Sequence, residues 1–69
     1  MIEKDTRDYI VKWSVPAREL SQRCIGRKGA LLCARGFASR VEKVWIEDLS
    51  GRVVLSDEEV RREVTLTAL

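Results

Sequence analysis

The sequence predicts an α+β domain, a three-stranded antiparallel sheet with three helices on one face in the order β-α-α-β-β-α. Three observations lead there. Residues 9–15 alternate at the period of a strand, two helical-period stretches flank Gly26-Arg27-Lys28-Gly29, and a second strand pair ends in a helix-capping signal.

In Tyr9-Ile10-Val11-Lys12-Trp13-Ser14-Val15, the apolar residues Tyr9, Val11, Trp13 and Val15 recur at every second position, as in a strand with one buried face. That pattern assigns Trp13 to the core. Pro16, with a fixed φ and no N–H, closes the strand. The next stretch, 17–25, spaces Ala17, Leu20 and Cys24 along one helical face, and Gly26 stands where a helix commonly ends. A second helix is expected from Ala30, with Ala30, Leu31, Ala34, Phe37, Ala38 and Val41 in one apolar stripe that Gly36 weakens.

Residues 41–47 are rich in β-branched and aromatic side chains and lead through Asp48-Leu49-Ser50-Gly51 into 52–55, the pattern of a hairpin. Trp45 alternates with Val44 and Ile46, on the opposite face, and is a candidate for base stacking. Ser56-Asp57-Glu58-Glu59 has the S-x-x-E spacing of a capping box, and Val60, Val64 and Ala68 continue a last helix. Thr65 and Thr67 also leave a terminal strand open for its final turn. At 69 residues the chain holds one domain, assigned to 9–69 after an N-terminal tail at 1–8.

Composition narrows the function classes. Nearly half the residues are apolar and about a third are charged, a globular balance. No apolar run reaches the roughly 20 residues of a membrane span, and the first residues lack the apolar stretch of a secretion signal, so an intracellular location and no membrane partner are expected. Two cysteines without a histidine fall short of a structural zinc site, and no cofactor is expected. Without histidine, paired acids or a cysteine with a base, catalysis is not expected either. Residues 11–43 carry Lys12, Arg18, Arg23, Arg27, Lys28, Arg35, Arg40 and Lys43 against Glu19 and Glu42, whereas 44–69 are net acidic. The basic half suits a polyanionic partner.

The turn itself suits an anion. Gly26 and Gly29 would let the backbone bend sharply and approach a phosphate, the following helix start would offer unpaired N–H groups, and Arg27 and Lys28 add cations. Val15-Pro16, Ile25-Gly26-Arg27-Lys28-Gly29 and Leu32, in this order of elements, resemble the core of the K-homology (KH) domain family in its type I arrangement. The resemblance implies a module that grips about four nucleotides of single-stranded RNA, or single-stranded DNA, in a narrow cleft. Carried over by position, Gly26, Arg27, Lys28 and Gly29 would hold the backbone, Ile25 and Leu32 would form one apolar wall, Val44 and Ile46 the other, and Arg23 and Lys43 would reach phosphate or base edges. Two other readings stand beside it: a KH-like protein-interaction or homodimerisation module, and a winged-helix DNA-binding domain with 41–55 as its wing.

Overall fold

In the computed structural model, which describes residues 7–36 and 38–67, the chain runs β1 (Asp8–Val15), β2 (Arg18–Ile25), α1 (Arg27–Arg35), a 3-10 turn (Ala38–Arg40), β3 (Lys43–Asp48), β4 (Val53–Leu55) and α2 (Asp57–Thr67). The strands form one four-stranded sheet in the order β2-β1-β3-β4, every neighbouring pair antiparallel. This corrects the expected three strands and three helices to four strands and two helices. Most of the tail expected over 1–8, as well as Phe37 and Ala68, lies outside the described residues; Asp8 already belongs to β1.

The correction turns on residues 18–25. Leu20 and Cys24 are four apart, a spacing that fits one helical turn and two strand repeats equally. Pro16-Ala17 makes a two-residue turn between Val15 and Arg18, with neither residue at positive φ, which suits proline at the first turn position. The chain then pairs back along all of β1, from Val15↔Arg18 to Asp8↔Ile25. Eight residues of ladder satisfy backbone groups that a two-turn helix, mostly ends, would leave without partners.

The helices cover one face of the sheet. Val11, Val44, Ile46, Leu55 and Tyr9 on that face close a core with Ala30 and Ala34 of α1 and Val60 of α2, and Val11, Val44, Ala30, Ala34 and Val60 are fully buried. The two alanines let α1 lie close against the strands. Trp13 and Cys24 pack at the margin of the core. Ile10, Lys12, Ser14, Ser21, Arg23, Trp45 and Glu47 occupy the intervening positions and form the helix-free face.

Local chemistry explains the remaining boundaries. α1 stops at Arg35, and the apolar stripe expected to continue to Val41 breaks at Gly36 into the short turn Ala38–Arg40. Asp48 organises the β3–β4 turn: its Oδ1 accepts from the Ser50 N–H at 2.9 Å, the Ser50 hydroxyl at 2.6 Å and the Arg52 N–H at 3.1 Å, while Gly51 takes φ 91°. These bonds, the Ser50 hydroxyl first, hold the Asp48 carboxyl below its ordinary value. At the start of α2 the capping box forms, with the Ser56 N–H donating to Glu59 Oε1 at 3.0 Å and the Glu59 N–H to Ser56 Oγ at 3.3 Å. The last element is a helix through Thr67 rather than a strand, and the Thr65 hydroxyl is accommodated in it by bonding back to the Arg61 carbonyl at 2.8 Å.

Arg61 ties the irregular segment to the core. Its guanidinium donates to the carbonyls of Ala38 at 2.7 Å, Val41 at 3.3 Å and Glu42 at 3.4 Å, and its Nε to Asp57 Oδ1 at 3.0 Å. The same Asp57 oxygen accepts the Val44 N–H at 2.8 Å, capping β3 where the short β4 no longer reaches.

Two outcomes follow for stability. Ile46→Ala, at a position 1% exposed, is expected to cost about 2–5 kcal/mol by urea unfolding. Because Asp48 titrates below its ordinary value of 3.8, its contribution is complete above that pH and is lost as pH falls through the folded-state value. Asp48→Asn should therefore flatten the acid limb of a stability–pH curve, measured by thermal melts.

Candidate nucleic-acid interface

The Gly26-Arg27-Lys28-Gly29 segment is a strand-to-helix corner, not a turn between two helices. Gly26 is buried, caps α1 at φ 78°, ψ 151°, and still belongs to the sheet through its N–H bond to the Arg7 carbonyl at 2.7 Å. Its own carbonyl accepts the Ala30 N–H at 3.0 Å, so one residue ends the ladder and begins the helix. Only glycine enters that backbone region readily. Gly29 differs. It lies inside the first turn of α1, and a Cβ built on it would meet nothing within 4 Å. The two glycines therefore do not form a phosphate cradle together.

α1 opens with Arg27 and Lys28 and has no acidic residue in its first turn. Cations there oppose the helix dipole, by about 0.3–1 kcal/mol each at an exposed site. Arg27 is compensated by Glu63 of α2 at 3.3 Å, whereas Lys28 has no ion-pair partner among the described residues. Lys28, Leu32 and Arg35, at i, i+4 and i+7, line the side of α1 opposite the buried Ala30 and Ala34. Leu32 is 60% exposed between the two cations. From Gly26 to Val41 the chain has Arg27, Lys28, Arg35 and Arg40 and no acid.

The other expected site residues are dispersed. Val44 and Ile46 face the core, fully buried beneath the helices, and form no groove wall. Ile25, although 68% exposed, sits at an outer-face position of β2 opposite Asp8, away from the α1 stripe and Leu32. Arg23 is on that same outer face and pairs with Asp8. Lys43 lies at the far end of the sheet, beside Ser14, while Ile25 aligns with Asp8 six residues away along β1, roughly 20 Å. The cleft implied by the KH resemblance thus has no second wall, because its strand side became core and its helical side became the β1–β2 hairpin.

Trp45 is on the helix-free face, half-buried, with its indole N–H bonded to Glu47 Oε2 at 2.8 Å. Glu47 also pairs with Lys12 at 3.2 Å, and these contacts, the indole bond first, lower its pKa. On this face Lys12 pairs with Glu47 and Arg23 with Asp8, and Glu19 and Lys43, without ion-pair partners among the described residues, balance in number, so the face is close to neutral. What sequence reasoning missed is Arg35, whose helical phase with Lys28 and Leu32 emerges only once α1 begins at Arg27.

Cys24 and Cys33 meet between β2 and α1, where the Cys33 thiol is hydrogen-bonded to Cys24; burial first, then this contact, pushes Cys33 up to about 11 and keeps it protonated at neutral pH. Among the described residues no three potential ligands are grouped to hold a metal ion, and no helix is long and apolar enough to cross a membrane.

No protein family, curated protein or solved structure matches the chain.

The two glycines should respond oppositely to alanine. Gly26→Ala is expected to destabilise by about 1–3 kcal/mol through its backbone conformation, and Gly29→Ala to stabilise by about 0.5–1 kcal/mol as an unobstructed helical position. Chemical denaturation of the two variants checks both signs.

Proposed function

We propose that the chain is a single-stranded nucleic-acid-binding module that contacts the phosphate backbone with the outward side of α1 rather than with a four-nucleotide cleft. The observation that carries this reading is the stripe of Lys28, Leu32 and Arg35 along the outward side of α1, from Lys28 at its positive end to Arg35 at its last residue, in a 16-residue stretch without acid. Helix N–H groups, the dipole and Lys28 favour one phosphate at the start of α1, and Arg35, about 10 Å further along the helix, favours another. Leu32 supplies an apolar surface on which an unpaired base can pack, a contact closed to bases stacked inside a duplex. Glu63 holds Arg27 against α2, so Arg27 is a secondary contact.

Binding is tested by titrating a short unstructured RNA at several salt concentrations and following backbone amides. Single-stranded backbone contacts contribute about 0.7 each to the slope of log K against log salt, so Lys28→Ala with Arg35→Ala should lower that slope by about 1.4 and weaken binding at every sequence. Leu32→Ala should weaken binding with the slope unchanged. Shifts confined to the helix-free sheet face, or a double variant that binds as tightly as the parent, reject the reading.

A further inference from the structure

The sheet has two edges of unequal character. β4 is three residues long, and its pairing with β3 shifts register between Ile46 and Glu47, which makes it a poor template for another strand. β2, at the other edge, is eight residues long and is bonded along one side only among the described residues.

The phase of its hydrogen bonds follows from Gly26. Its N–H donates to Arg7, which makes that a hydrogen-bonded pair in the β1–β2 ladder. In an antiparallel ladder such pairs alternate, so Leu20, Gln22 and Cys24 direct their backbone groups at β1. Glu19, Ser21, Arg23 and Ile25 direct theirs outward.

From this edge we propose that two copies of the chain pair β2 to β2, antiparallel, about a two-fold axis through Ser21, to form a continuous eight-stranded sheet with both helix layers on the same side. The argument for a second copy, in this register, is charge complementarity. With Ser21 opposite its own counterpart, Glu19 of each chain stands opposite Arg23 of the other, on the helix-free face and at positions whose outward N–H and C=O groups meet. Glu19 has no ion-pair partner among the described residues, and Arg23, paired with Asp8 on the β1 side, has further guanidinium donors for the second acid. Alternative registers that keep the faces matched lose this. Centring on Glu19 or on Arg23 places like charges opposite, and centring on Leu20 or Gln22 leaves Glu19 against Ser21 or Ile25. The charges that discourage indiscriminate pairing at an edge therefore permit one self-pairing. The paired residues all lie in β2, and none belongs to the α1 stripe.

The test is solution mass against concentration, by sedimentation equilibrium, together with amide hydrogen exchange. The wild-type chain should convert from monomer to dimer as concentration rises, and Glu19, Ser21 and Arg23 amides should gain protection in step while Leu20 and Gln22 are protected throughout. Ser21→Pro removes the central outward donor without removing a bond to β1, and proline is tolerated where an edge N–H faces solvent, so this variant should fold and stay monomeric. Glu19→Arg and Arg23→Glu should each be monomeric alone and form a heterodimer when mixed. This mixture decides the matter even where Ser21→Pro fails to fold. A wild-type chain that is monomeric at every concentration, a dimer that survives Ser21→Pro, or two charge variants that do not associate on mixing overturns the proposal.

Discussion

The pairing of β2 along the full length of β1 is the constraint on which the rest of the molecule depends. It makes β1 a central strand, bonded to β2 on one side and to β3 on the other, and so places Val11 in the middle of the core. It fixes where β2 ends, at Ile25, and forces the chain to leave the sheet through Gly26 in a conformation that only glycine takes without strain. Because the chain turns there, α1 begins at Arg27 and lays Ala30 and Ala34 on the sheet. The solvent side of α1 is then a consequence of its buried side.

A second, polar constraint complements this one. A chain of 69 residues has few large side chains for a core, and much of its layer contact relies on alanine and valine. In the segment between α1 and β3, the described residues Ala38 and Val41 reach the core, while its backbone carbonyls need polar partners. Arg61, braced by Asp57, gathers three of its carbonyls and, through the same carboxylate, caps the start of β3. Charge-assisted bonds of this type are stronger than neutral ones and are oriented by the planar guanidinium.

The charges have separate tasks. On the helix-free face, Lys12 with Glu47 and Arg23 with Asp8 are matched pairs that keep an open sheet surface polar. In the helix layer, Arg27 joins basic α1 to acidic α2. Lys28 and Arg35 are left outside this matching, and Glu19 at the β2 edge is likewise left over. Unmatched charge at the α1 stripe and at the β2 edge is what both functional proposals rest on.

Local chemistry made much of this protein readable from its residues. The alternation of Tyr9 to Val15, the Asp48–Gly51 turn and the Ser56–Glu59 capping box each involve neighbours in the chain, and each takes the expected form. Residues 18–25 were not readable in that way, since the four-residue interval from Leu20 to Cys24 satisfies both periods and only the partner strand selects one. The same choice separated Ile25 from Leu32, while the β3 register on β1 put Val44 and Ile46, expected in a groove, into the core. The basic, glycine-bounded character of Gly26-Arg27-Lys28-Gly29 was determined by sequence alone. Whether it became a turn between helices or the corner of a sheet was decided by long-range backbone pairing, because hydrogen bonds between strands depend on residues far apart in the chain, which no local spacing specifies.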